Sequence, residues 1–222
     1  MAPSSDSSTP IIPQAKNSPS KGLYRSFFKR IFDVVLIIAA APFVLLLVFA
    51  AAALIALDGH NPFYSQLRVG RGGEVFRMWK LRTMVHDADE RLDAYLAANE
   101  TARTEWKQHQ KLRKDPRITP VGRVLRKISM DELPQLWNVL AGHMSLVGPR
   151  PMMPSQRKSY SGQSYYNLRP GVTGLWQVSE RNNCEFVGRV YYDDLYDNAV
   201  SLSMDIRVVL RTVAVVLRGT GC

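Results

Sequence analysis

Cysteine is nearly absent from this sequence. Only Cys184 and Cys222 occur in 222 residues, too few for a disulfide framework or a four-thiolate zinc site. The four histidines, at 60, 86, 109 and 143, show no metal-ligand spacing. A reducing, cytosol-facing location follows by default. Internal repeats are missing, and so is the Walker phosphate-loop pattern, which argues against a nucleoside triphosphatase. Acidic residues are outnumbered, 19 against 29 basic, for a net charge of +10. An excess of that size implies a polyanionic partner: nucleic acid, an anionic membrane face or a phosphorylated substrate.

Charge is missing altogether between Val34 and Leu57. As one helix these 24 residues would reach about 36 Å, against a hydrocarbon core of roughly 30 Å. The run is too long, and starts too far along the chain, for a signal peptide. Pro42 interrupts it, and an interior proline kinks a helix. Basic residues flank both ends: Lys21, Arg25, Lys29 and Arg30 before, then Arg68, Arg71, Arg77, Lys80 and Arg82 after. A spanning helix usually shows a Lys/Arg bias to one side. The balance here suits a re-entrant helix-break-helix that enters and leaves one leaflet; a kinked single-pass helix is the alternative. Lys29 and Arg30 lie four and three residues before Asp33 on one helical face, which would neutralise that carboxylate at the interface. Nucleic-acid binding leaves the apolar run unexplained.

The organisation that results is α+β. Residues 1–22 form a serine- and proline-rich disordered lead. Residues 23–58 form the membrane-embedded helix, and 59–222 a small, mostly helical cytosolic catalytic domain with a short β-hairpin. The hairpin is expected around Arg71-Gly72-Gly73, with Phe63, Tyr64 and Val69 on one side and Val75 to Met84 on the other. Residues 87–114 read as one or two polar helices carrying Leu92, Leu96 and Trp106. A further helix is expected from Ser129 to Leu140, and a loop over 148–175. Residues 185–218 read as helical, ending in an amphipathic stretch with Leu202, Ile206, Val209, Leu210, Val213, Val216 and Leu217 apolar and Arg207, Arg211 and Arg218 basic.

Chemistry concentrates at Ser129-Met130-Asp131-Glu132. One reading is a capping box, in which Ser129 caps the helix and Glu132 reaches back. The other places two carboxylates in a first helical turn, where the dipole favours their ionised form. Neighbours on a helix point about 100° apart, so one would attack while the other holds a divalent cation or orients the first. Arg117, Arg123, Arg126 and Lys127 precede the pair. Arg150 follows between Pro149 and Pro151, a restricted backbone that suits a fixed phosphate fork. Arg169-Pro170-Gly171-Val172-Thr173-Gly174 adds an arginine and a glycine-rich turn whose amides could meet a phosphate. Lys80 and Arg82 alternate and would share one face of a strand.

Five ordered segments then carry a resemblance. They are Lys29-Arg30-Ile31-Phe32-Asp33, the stretch Trp79 to Met84, the stretch Leu125 to Leu136, Met144 to Pro151, and Leu168 to Gln177. The chain from Lys29 onward resembles the bacterial sugar transferases, specifically the monotopic phosphoglycosyl transferases that begin exopolysaccharide assembly. In its short form it most resembles the rhizobial-type initiators. The resemblance implies transfer of hexose 1-phosphate, galactose or glucose, from a UDP-sugar to undecaprenyl phosphate, with release of UMP. It implies Asp131 as nucleophile forming a covalent sugar-phosphate intermediate, Glu132 as its partner, and Mg²⁺ as cofactor held by this pair. Substrate-binding roles fall to Lys80, Arg82, Arg126, Arg150, Arg169, Gly171, Thr173 and Gly174, with Asp193 a further acidic position. The implied location is the bacterial inner membrane with the catalytic domain on the cytoplasmic face, and a homodimer is plausible from the family. Family members commonly break the membrane helix at Ser-Pro, where this chain has Ala41-Pro42. The same reaction on an N-acetylhexosamine, or a non-catalytic membrane scaffold, are the alternatives.

Overall fold

A computed structural model describes residues 21–109, 112–179 and 188–217. Residues 1–20 of the lead expected over 1–22, with Cys184, Cys222 and Arg218, lie outside the described residues, while Lys21 and Gly22 belong to a helical turn. The chain enters through a turn of α-helix, Lys21–Leu23, and a π-helical stretch, Tyr24–Phe28. A long helix, α1, follows over Lys29–Ala56 with Pro42 inside it. The helix runs through the proline, so the expected two separate arms are one continuous element. A proline removes a single intrahelical hydrogen bond, and the long apolar helix on either side holds the geometry.

One stripe of α1 is buried, at Lys29, Asp33 and Ile37 and again at Val48, Ala51, Ala52 and Ile55. Ile37 packs with Phe76, Met78, Val139 and Met144. Val48 to Ile55 pack with Leu81 and Leu125. Both halves of the helix therefore rest on the same folded unit. The other face is uncovered, with Ile38, Phe43, Leu46 and Phe49 each more than 60% exposed. By length and composition α1 suits a membrane.

Asp33 feels the charge of Lys29 as expected, but its hydrogen bonds come from elsewhere. Its carboxylate accepts from Ser145 Oγ at 2.7 Å and the Leu146 amide at 3.1 Å. Lys29 instead bonds Asp205 at 2.6 Å, and Arg30 donates to the carbonyls of Val139 and Leu140. All three polar side chains tie the helix to the domain, because a buried charge is tolerable only when partnered.

Strands β1, Phe63–Val69, and β2, Val75–Leu81, form the expected antiparallel hairpin. Gly72 and Gly73 take φ of 68° and 85° in its turn, the left-handed region glycine enters without strain. The register sets Tyr64 opposite Lys80, Gln66 opposite Met78 and Arg68 opposite Phe76, so these residues share one face. Helices α2, Ala88–Ala98, and α3, Glu100–His109, form the two polar helices expected after it, packed around Leu92, Ala102 and Leu112. Helix α4, Pro120–Lys127, starts at Thr119, whose hydroxyl accepts from the Gly122 amide at 2.9 Å.

The helix expected over 129–140 is divided. A 3₁₀ turn spans Met130–Glu132 and helix α5 only Gln135–Leu140. Pro134 explains it: as an interior residue of a helix from Ser129 it would lack the amide that the backbone pattern requires. Ser129 takes a left-handed φ of 56° and makes no side-chain cap, so the capping box is absent.

The stretch expected as a loop over 148–175 also holds structure. It contains a 3₁₀ helix, Pro154–Ser159, a short helix α6, Ser164–Asn167, and strand β4, Gly171–Thr173. Strand β4 pairs in parallel with β3, Ser145–Val147. Helix α7 covers Leu175–Ser179. The C-terminal helical region is two helices, α8 over Arg189–Ala199 and α9 over Leu202–Leu217. Met204, Asp205 and Val208 of α9 are buried, whereas Leu202, Ile206, Leu210 and Val213 are exposed. The core against α9 is Val147, Leu168, Leu175, Tyr196 and Val200. The fold is thus α+β and mostly helical, with one long apolar helix and a small hairpin sheet.

Candidate active site

The 3₁₀ turn brings Asp131 and Glu132 against the end of β2. Lys80 lies between them, its Nζ 2.8 Å from Glu132 Oε1 and 4.0 Å from Asp131 Oδ2. Asp131 is buried, with 8% of its surface exposed. Burial raises its pKa above the ordinary carboxylate value and Glu132 raises it further, while Lys80 and Arg126 pull it down. The sequence expectation of a helix dipole favouring the ionised form is therefore reversed. A three-residue 3₁₀ turn has little dipole to offer, and desolvation dominates.

Glu132 and Lys80 open onto a cleft of about 180 Å³ that Arg68, Arg150, Gln177 and Arg189 also line. Arg150 and Arg189 both stand over the indole of Trp176, at 5.9 and 4.4 Å from its centroid. Burial and the nearby Arg150 guanidinium push the Arg68 pKa down. Several cations thus crowd one small pocket beside two carboxylates. Such a pocket lowers the free energy of a bound polyanion and matches a phosphoryl centre.

Arg126 approaches from α4, held by Thr83 Oγ1 at 2.8 Å, and acts on Asp131 through its charge. Other expected residues go elsewhere. Arg82 lies just past β2 and forks onto Asp58, with both contacts at 2.7 Å. Arg169 donates to the Gly142 carbonyl at 2.9 Å, in a different cavity. The amides of the glycine-rich segment serve the fold. The Gly171 amide donates to the Pro149 carbonyl and the Gly148 amide to the Thr173 carbonyl, while the Thr173 hydroxyl meets that of Thr212. A Cβ at Gly148 would sit 2.3 Å from the Arg169 carbonyl oxygen, and one at Gly174 2.2 Å from the Gly148 carbonyl oxygen. These glycines let two backbones touch, which fixes Arg150 at the cleft.

Asp193 is buried and accepts a 2.7 Å hydrogen bond from Tyr160. Burial is the main cause lifting its pKa to about 7. Arg68 and Arg189 escaped the sequence reading as site residues. The hairpin register could have found Arg68, which shares the face of Lys80; Arg189 offered no local signal. Among the described residues no three His, Cys, Asp or Glu side chains gather as a metal site.

Comparison with known proteins gives a consistent answer. A family model described as bacterial sugar transferase matches residues 24–219. The UDP-galactose-lipid carrier transferase of Erwinia amylovora is 44% identical over 217 residues, covering 95% of this chain and 44% of that protein. The undecaprenyl-phosphate galactose phosphotransferase of Salmonella typhimurium is 45% identical over 201 residues, covering 88% and 41%. The chain thus spans less than half the length of these relatives. The exopolysaccharide production protein ExoY of Sinorhizobium fredii is 38% identical over 216 residues, covering 95% of this chain and 94% of its own. With a match over residues 24–219, the chain belongs to the bacterial sugar transferase family.

Proposed function

We propose that this protein transfers hexose 1-phosphate, galactose or glucose, from a UDP-sugar to undecaprenyl phosphate as the first membrane step of exopolysaccharide assembly. The observation that carries the reading is the Asp131–Lys80–Glu132 cluster at a cleft lined by Arg68, Arg150 and Arg189. Cations there would hold the diphosphate of the donor. An Asp131 carboxylate oxygen bonds to the β-phosphorus, and the bond from that phosphorus to the bridging oxygen breaks. UMP leaves with the bond's electron pair. A phosphate oxygen of the carrier then attacks the same phosphorus and frees Asp131, giving the diphosphate-linked sugar lipid. Lys80 reaches both carboxylates and favours the ionised Asp131 that the attack requires. Glu132 orients Lys80.

Mg²⁺ fits this donor set. The ion is commonly held by one or two carboxylates plus substrate phosphate and water, and Asp131 and Glu132 are adjacent oxygen donors beside the proposed phosphate site. When bound, the ion would neutralise charge on the diphosphate.

The same reading places α1 as a re-entrant helix in the inner membrane, with the rest of the chain at the cytoplasmic face. Its support is that both ends of α1 pack on one folded unit. A helix crossing a hydrocarbon core of roughly 30 Å would leave its ends on opposite sides. The exposed stripe of α9, beside Arg207 and Arg211, suits the same interface.

The test is UMP release from a panel of UDP-sugars by detergent-solubilised full-length protein, with and without undecaprenyl phosphate and Mg²⁺. Carrier- and metal-dependent release with UDP-galactose or UDP-glucose is the expected outcome. Silence across the panel from folded protein would favour the scaffold alternative. Asp131→Asn should abolish the radiolabelled protein–sugar-phosphate adduct, and retention of wild-type turnover would refute the covalent step.

A further inference from the structure

A second cavity, about 680 Å³, lies between the hairpin tip and α5. It shares no lining residue with the catalytic cleft. Its cations are Arg71, Arg77 and Arg169, and its aromatic walls include Trp79 and Trp137. His143 stacks on Phe76 there at 5.7 Å. The guanidinium of Arg169 is fixed through Nε to the Gly142 carbonyl. The Arg71 and Arg77 guanidiniums make no ion pair or side-chain hydrogen bond among the described residues, while the Arg77 carbonyl accepts from Asn138 Nδ2 at 2.7 Å. Glu74 is the acid that lines the cavity. Asp33, the acid that acts on Arg169, is engaged by Ser145 and Leu146. Burial is the main cause lowering the Arg169 pKa, with Arg71 and Arg30 adding to it and Asp33 opposing; the lining itself sets three arginines against the single carboxylate of Glu74.

The position of the cavity says what would compensate it. Its floor, α5, is tied to the membrane helix twice. Arg30 of α1 donates to the carbonyls of Val139 and Leu140, and Ile37 of α1 packs in one cluster with Val139. Trp137 stands 66% exposed at this edge. An exposed tryptophan beside arginines, next to an apolar helix, matches the headgroup layer, where tryptophan concentrates and basic pockets take anionic headgroups.

We infer that this groove binds the phosphate of an anionic phospholipid headgroup from the leaflet that holds α1. Arg71, Arg77 and Arg169 fork onto the phosphate oxygens, and Trp137 lies against the glycerol and upper acyl chain. The inference rests on α1 lying in a membrane and is independent of the transfer reaction.

The experiment uses full-length protein, delipidated in detergent and titrated with phosphatidylglycerol or phosphatidylcholine, with bound lipid counted by native mass spectrometry. Wild-type protein should prefer phosphatidylglycerol, and the preference should weaken as salt rises. The double variant Arg71→Gln/Arg77→Gln should bind phosphatidylglycerol roughly tenfold more weakly or worse. Both positions are exposed, so its lipid-free melting temperature should match wild type, as should UMP release in phosphatidylcholine nanodiscs. Equal phosphatidylglycerol affinity in the two proteins would overturn the assignment. Displacement of the lipid from this groove by inorganic phosphate or UMP at equal affinity would overturn it too, in favour of a soluble ligand.

Discussion

Lys80 contacts the Glu132 carboxylate closely and reaches that of Asp131 at the limit of an ion pair. Its ammonium offsets part of the desolvation that raises the Asp131 pKa. Replacing it, Lys80→Met, should push that pKa higher still. The acid limb of the pH profile for UMP release, which on the proposed mechanism needs ionised Asp131, should therefore move to higher pH. Asp193 has the opposite use for pH. Its carboxyl titrates near 7 in the folded protein, against about 4 unfolded, so the native state binds the extra proton between those values. Stability contributed by that proton is present below about pH 4 and lost as pH rises through 7. Asp193→Asn should remove this dependence. The stability of the variant relative to wild type, followed by denaturant unfolding, should rise from pH 5 to pH 8 by on the order of 2–3 kcal/mol. A constant gap would show that Asp193 titrates normally.

At the scale of elements, ties between distant segments decide stability. Asp205 of α9 is fully buried and bonds Lys29, Tyr24 and Tyr196. Asp205→Asn leaves a buried lysine without its counter-ion and should cost about 3–5 kcal/mol, seen as early thermal unfolding in detergent. Gly148→Ala forces a Cβ into the Arg169 backbone and should weaken UMP release by displacing Arg150. These ties also explain what the sequence could and could not tell. The hairpin was legible because Gly72-Gly73 sits between two alternating runs, and α1 because 24 successive residues lack charge. The carboxylate pair and Arg150 were legible through local spacing. The divided helix at 129–140 was obscured because Pro134 was read as part of a motif and not as a break. The resemblance assigns Arg82 and Arg169 to substrate binding, and nothing in their spacing points to Asp58 or the Gly142 carbonyl. Partners separated by 24 and 27 residues are matters of tertiary packing.

At the scale of the molecule, the domain and α1 form one packed object. Topology can be checked directly with single cysteines at Gly22→Cys and His60→Cys, in protein whose native cysteines are replaced by serine. On the re-entrant reading both should react with an impermeant maleimide from the same side of sealed inverted vesicles. Labelling of only one would mean that α1 crosses. The buried pair of Lys29 and Asp205 adds a constraint in time. The two residues are 176 positions apart, and synthesis proceeds at about 5–20 residues per second, so Asp205 is made roughly 10 to 35 s after Lys29. For that interval α1 must hold its place with its lysine solvated by water, lipid headgroups or a chaperone. On the membrane reading, insertion would come first and the domain would close onto a helix already in the bilayer.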